Sequence, residues 1–334
     1  MTSHRDQVPP DRPTVLVLRA LGLGDLLTGI PALRALRSGY AGHRIVLAAP
    51  AALEPVARAS GAVDQLLPTG ELEPVPWSGP GPQVAVNLHG RGPHSHRLLL
   101  ATRPHRLLAF AHPGLGWMAG PTWYPGEHEV RRWCRLVEWY GMPADPMALD
   151  LPRPPAPALS GAVLIHPGAK DPARRWPAER FAAVAAALAA RGERIVITGS
   201  RQEAPLGQWI ARRAGLPPRA VLAGRTALGQ LAALVAHARL VVCGDTGVGH
   251  LATAYRTPSV LVFGPVPPTE WGPLPTRSWH RVLWHPQRPP RDTVAAVTVT
   301  EVISVAEELL MGAGCTGNNV SDKDKSELTR YGGK

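Results

Sequence analysis

Three glycine-bearing turns hold the side chains with the most chemistry to offer. The first is Arg19-Ala-Leu-Gly22-Leu-Gly24-Asp25, at the end of an apolar strand and the start of a helix. Its glycines suggest a dinucleotide site, but that reading fails twice. Leu27 occupies the sixth position, where glycine or alanine is needed, and the next strand, RIVLAAP, ends without an acidic residue for a ribose. What remains is a tight turn that aims Asp25 out of the strand end. A carboxylate there can take a proton from a sugar or alcohol hydroxyl, or it can simply cap its own helix.

The second turn, residues 165–177, reads IHPGAKDPARRWP. A strand ends in Pro-Gly, and a loop carrying Lys170, Arg174 and Arg175 runs into a helix start. Cations and free backbone N–H groups together hold anions well, although a solvated basic loop would read the same way. The third turn is Gly244-Asp245-Thr246-Gly247-Val248-Gly249-His250. Glycines allow a ligand to approach the backbone, the helix start offers donors, and Thr246 adds a hydroxyl, which makes a diphosphate cradle. His250 lies one turn into that helix and could equally be a core or capping histidine. No divalent metal is expected, because His94 and His96 form a lone pair read as lying in a loop, and the one D-x-D (Asp322, Asp324) falls near the C-terminus.

The elements that must position these turns alternate between apolar β-type runs and helical patterns. Strands are expected at 14–19, 44–48, 63–67, 83–88 and 106–110, and helices at 25–37, 51–59 and 127–140. The pattern restarts with strands at 162–166, 194–199, 220–223, 240–244 and 259–263. Helices are expected at 177–190, with Pro177 at its first position, and at 203–214, 228–237, 247–254 and 297–310. Apolar strands separated by helices imply parallel sheets covered on both faces. The expected fold is therefore α/β, two Rossmann-like doubly wound domains facing a central cleft. The first spans 1–150 and the second 161–311. Residues 151–160, with four prolines, form a stiff linker, and 312–334 form a disordered tail.

Composition narrows the function classes. With 334 residues, 45% hydrophobic and 18% charged, the chain is globular rather than disordered. Its longest nearly pure apolar run, residues 181–190, is too short to span a bilayer, and residues 1–13 have no apolar stretch of a secretory signal. Three distant cysteines argue against a disulfide framework and for a reducing, cytoplasmic setting. Lys plus Arg (36) exceed Asp plus Glu (25), so anions should be attracted. An arginine-rich, lysine-poor excess is also what GC-rich coding DNA produces. No basic cluster carries the interleaved aromatics of a single-strand groove, so nucleic acid is not an expected partner.

Taken in order, these segments resemble glycosyltransferase family 9, the ADP-heptose:lipopolysaccharide heptosyltransferases. VLVLRALGLGDLLTGIPALRALR resembles the family's opening strand and Gly-Asp. VNLHGR (86–91) resembles its D-L-H/Q-G segment with Asn87 in place of aspartate. IHPGAKDPARRWPAERF resembles its H-P-G…K-x-W-P block with Arg174 for lysine. DTGVGHLA and FGP complete the match, with Pro267 where aspartate is usual. The resemblance implies a GT-B fold and metal-independent, inverting transfer of a heptose or related sugar from an ADP-heptose-like donor, with no cofactor. It implies Asp25 as general base and Arg174 as neutraliser of the departing diphosphate. Lys170, Asp245, Thr246, Gly247 and His250 would bind the donor, with Glu203 a ribose candidate. Gly24, His89 and Arg91 would lie on the acceptor side. The acceptor would be a glycan or secondary metabolite, with at most peripheral membrane contact and a monomeric protein. A nucleotide-sugar epimerase or a non-catalytic nucleotide-binding protein is the alternative.

Overall fold

A computed structural model describes residues 12–116, 119–286 and 294–315. The N-terminal half contains β1 (Thr14–Leu18), α1 (Leu23–Thr28), α2 (Ile30–Gly39), β2 (Arg44–Ala49), α3 (Glu54–Ala59), β3 (Gln65–Pro68), β4 (Val84–Asn87), α4 (His94–Leu100), β5 (Arg106–Leu108) and α5 (Glu129–Trp139). The C-terminal half contains β6 (Val163–His166), α6 (Ala178–Ala190), β7 (Ile195–Ile197), α7 (Ala204–Arg213), α8 (Leu228–Ala236), β8 (Leu240–Gly244), α9 (Gly247–Ala254), β9 (Ser259–Val262), α10 (Pro268–Trp271), β10 (His280–Leu283) and α11 (Val299–Cys315).

Each half builds one five-stranded parallel sheet, in the orders β3-β2-β1-β4-β5 and β10-β9-β8-β6-β7. The strand order reverses between β1 and β4 in one sheet and between β6 and β8 in the other. Open parallel sheets leave a crevice at such a reversal, outside the carboxyl ends of the strands. Leu18 pairs with Asn87, and His166 with Cys243. The turns after β1 and β4 therefore lie side by side, as do those after β6 and β8. All three chemistry-bearing turns emerge at these two reversals.

The central strands β1 and β8 are buried along their whole length, as uninterrupted apolar runs require. One hydrophobic cluster runs from Val15 and Leu26 of the first half to Val248 and Leu251 of the second. The halves meet chiefly where α1 packs on α9 and α3 on α8. Glycine makes the first contact possible. A Cβ on Gly24 would stand 2.9 Å from His250 Cδ2, and one on Gly247 would stand 2.9 Å from Leu23 Cβ and 3.1 Å from the Gly24 nitrogen. Gly247→Ala is accordingly expected to cost about 1–3 kcal/mol, the scale of overpacking, read as a lower urea midpoint. An unchanged midpoint would mean that the two helix starts are not held this closely.

Several elements differ from the sequence reading. The helix expected over 25–37 breaks at Gly29, because the Arg19 side chain occupies the space beside it and Arg19 Nε donates to the Asp25 carbonyl. Residues 220–223 do not form a strand. A 3₁₀ turn, Pro218–Ala220, is followed by a single bridge between Val221 and Ile197. His94 and His96 lie on α4 rather than in a loop, since Ser95, His96 and Leu99 turn one helical face inward. Pro177 is the N-cap of α6, with extended ψ, rather than its first helical residue. The last helix passes Gly312 and continues to Cys315, against the tail expected from 312; the rest of that expected tail, residues 316–334, lies outside those described.

Burial also sets an acid limit on stability. The imidazole of His280 lies between Ser259 Oγ (2.6 Å) and Thr253 Oγ1 (3.3 Å). Burial, with Arg277 and His250 adding to it, pushes its pKa down to about 3. The unfolded chain binds a proton near pH 6.5 that the folded chain refuses. This contribution is thus fully present above pH 6.5 and is lost as pH falls toward 3. The loss is up to about 1.4 kcal/mol per pH unit. Denaturant midpoints should fall from pH 7 to pH 5, less so in His280→Asn; equal slopes in the two proteins would remove His280 as a cause.

Candidate functional site

Asp25 sits in the first turn of α1, where its Oδ2 accepts from the Gly22 N–H at 3.1 Å. The capping reading is therefore correct as far as it goes, yet the carboxylate remains 27% exposed and lines the cleft. Arg19, fully buried, stands beneath it, with Nη2 3.9 Å from Asp25 Oδ1. Its guanidinium also donates to the carbonyl of Leu88, to Thr28 Oγ1 at 3.1 Å and to Glu129 Oε1 at 3.3 Å, and lies 4.7 Å from the Trp133 ring centroid. A buried arginine has to find such partners. Here they tie the ends of β1 and β4 and the start of α5 to the turn that carries Asp25. The sequence signal was the charged residue closing an apolar strand.

Across the cleft, Arg174 Nη1 bonds Asp245 Oδ2 at 2.8 Å. Asp245 is nearly buried, whereas Arg174 keeps a side facing the cavity, and its Nε makes no hydrogen bond. Asp171 accepts from the Ala173 N–H and starts the 3₁₀ turn Pro172–Arg174 that presents the guanidinium. The Thr246 hydroxyl is buried beside the Cys243 thiol, and no side chain caps the first turn of α9. The guanidinium and the uncapped first turn of α9 are groups that could meet an anion. Burial pushes the His250 pKa down, opposed by the nearby Asp245 and Asp25 carboxylates.

A cavity of about 600 Å³ opens between the two halves. Gly24 and Asp25 wall it from one side and Lys170, Arg174, Asp245, Thr246, Gly247 and His250 from the other. A second cavity, about 570 Å³, shares Ala169 and Lys170 with it and reaches Ser200, Gln202 and Glu203. There the Glu203 carboxylate accepts from the Ser200 N–H at 2.7 Å and lies against Gly168, where a Cβ would collide with it. Arg175 faces this second cavity, its Nε donating to the Ala169 carbonyl. Lys170 is 92% exposed, and its Nζ stands 3.1 Å from Glu71 of the opposite half, a solvated pair that contributes little.

The acceptor-side residues are less tightly gathered. His89 lies near Arg19, Asp25 and Glu71, with burial the main cause of its lowered pKa, and its buried Nδ1 makes no hydrogen bond. Arg91 is exposed and stands apart from the cavity wall. Asn87 explains its own departure from aspartate. Its Oδ1 accepts from the His89 N–H, while its Nδ2 donates to Ser95 Oγ and to His96 Nδ1, both at 2.9 Å. His96 Nε2 donates to the Phe110 carbonyl, so its Nδ1 needs a donor, which an amide supplies and a carboxylate does not.

Trp271, which the sequence did not single out, lines the main cavity and meets His250 edge-on, with centroids 6.1 Å apart. Among the described residues no group of three or more His, Cys, Asp or Glu side chains could hold a metal ion, and no helix is long and apolar enough to cross a membrane.

Comparison with known proteins bears directly on this arrangement. A lipopolysaccharide heptosyltransferase 3 of Escherichia coli is 31% identical over 160 residues, 44% of this chain and 46% of that one. A lipooligosaccharide heptosyltransferase 2 of Haemophilus influenzae is 35% identical over 114 residues, 32% of each chain. The chain thus spans between a third and a half of the length of these relatives. Among solved structures, a family 9 glycosyl transferase of Veillonella parvula superposes with a TM-score of 0.75 at 19% identity, covering 90% of this chain and 97% of that one. The ADP-heptose lipopolysaccharide heptosyltransferase II of E. coli gives 0.73 at 21%, covering 90% and 99%. The two parallel sheets are those of the GT-B fold. The sequence model of glycosyltransferase family 9 (heptosyltransferase) matches residues 125–297, just over half of the chain, from the start of α5 through the Asp245–His250 turn, and the chain belongs to that family.

Proposed function

We propose that this protein transfers a heptose or related sugar from an ADP-heptose-like donor to a hydroxyl of a glycan or small-molecule acceptor, with inversion, in the cytoplasm. The observation that carries the reading is the single cavity in which Asp25 of one half faces Arg174 and Thr246 of the other. The family supplies the donor class, and two relatives named above are heptosyltransferases.

The chemistry follows from the positions. The diphosphate lies against Arg174, the Thr246 hydroxyl and the start of α9, and the nucleoside extends toward Glu203. Asp25 takes the proton from the acceptor hydroxyl as its oxygen attacks the anomeric carbon. The bond from that carbon to the phosphate oxygen breaks, and the electron pair leaves on the nucleoside diphosphate. Donors and cations already in place meet that charge without reorganising.

A thermal-shift titration with ADP, UDP, GDP, CDP and dTDP tests the donor side. ADP at about 100 times its dissociation constant should add roughly 2.7 kcal/mol of stability. Release of ADP from ADP-heptose that depends on added acceptor tests transfer. Turnover of the donor without acceptor would favour an epimerase, and no shift with any diphosphate would leave a protein without a working donor site.

A further inference from the structure

We propose that Trp271 is the wall that recognises the sugar of the donor, and that His128 of the opposite half is the positioning residue that holds it there. The proposal rests on the transferase reading. Trp271 lines the same cavity as Asp25 and the Arg174–Asp245 pair, and the sugar of a bound donor must lie in that cavity for Asp25 to face its anomeric carbon. An indole there covers the C–H face of a pyranose.

Trp271 ends a four-residue helix, too short to fix its own orientation. Two contacts from outside do so: the His250 ring meets it edge-on, and the carbonyl of the next residue, Gly272, accepts from His128 Nε2 at 2.9 Å. His128 is the N-cap of α5, its Nδ1 accepting from the Val130 N–H at 3.2 Å. Away from the main cavity, the space that Trp271 shares with His128 and His250 holds only about 20 Å³. The following residue, Glu129, holds Arg19 and through it the turn that carries Asp25. Two consecutive residues at the start of α5 thus place the proton acceptor and the sugar wall relative to each other.

His128→Asn separates these duties. Asparagine still caps α5 but ends short of the Gly272 carbonyl. Calorimetric titration of the full-length wild type, His128→Asn, Trp271→Leu and the double variant with ADP and with ADP-heptose provides the test. Trp271→Leu should weaken ADP-heptose by about tenfold and leave ADP unchanged. His128→Asn should weaken ADP-heptose by about three- to tenfold, again without effect on ADP. The double variant should be no worse than Trp271→Leu alone, because His128 acts through the indole. The proposal is overturned if ADP and ADP-heptose weaken together, if His128→Asn binds as wild type does, or if the two effects add. Wild type that binds neither ligand overturns the donor reading as well, whereas parallel losses on a wild type that binds both overturn this inference alone.

Discussion

Asp25→Asn should lower kcat by about 10²–10⁴-fold, the range for a positioned proton acceptor, while ADP binds as it does to the wild type. The substitution is nearly isosteric, and its amide oxygen can still accept the Gly22 N–H that Asp25 Oδ2 accepts now. Arg19 keeps Glu129, Thr28 and two carbonyls as partners, so no buried charge is stranded. What disappears is the ability to take a proton. Single-turnover rates with saturating donor, beside calorimetric affinity for ADP, make the comparison. Parallel loss of rate and affinity would reduce Asp25 to a helix cap.

Arg174→Ala should weaken ADP by about 1.5–3 kcal/mol, the scale of charge-assisted hydrogen bonds, which is roughly 10- to 150-fold in affinity. Two effects act in the same direction. The diphosphate loses a guanidinium whose Nε makes no hydrogen bond and has only Asp171 Oδ2, 4.0 Å away, for company. Asp245, only 5% exposed and paired with Arg174 at 2.8 Å, then faces the incoming anion as an uncompensated carboxylate. Arg174→Lys should recover part of the loss, since it restores the charge but not the two-pronged geometry. Isothermal titration with ADP measures both, and an unchanged affinity for Arg174→Ala would remove this side chain from the diphosphate site.

Much of this architecture follows from local chemistry alone. Runs such as Thr14–Leu18 and Leu240–Gly244 are apolar throughout, which only a strand buried on both faces tolerates. Glycine turns at the ends of such strands, followed by helical periodicity, place Asp25, Arg174 and Asp245 at the carboxyl edges of parallel sheets before any coordinates are known. The candidate site was legible as far as three glycine-bearing turns at strand ends carry its charged side chains, although each turn also admitted a plainer structural use.

What tertiary structure decided is where long side chains end and which halves touch. Lys170 and Arg174 lie four residues apart on one loop, yet one reaches Glu71 in solvent and the other locks onto Asp245. Gly29 interrupts a helix only because Arg19, ten residues earlier, fills the space beside it. The strand His280–Leu283 carries two polar residues in four and becomes a strand by pairing with β9. Trp271 enters the cavity through a bond between Gly272 and His128, separated by 144 residues. Periodicity and turn composition are properties of neighbours along the chain, so they specify elements and the ends from which chemistry emerges. Contacts over such separations depend on how two sheets pack, and no local pattern encodes them.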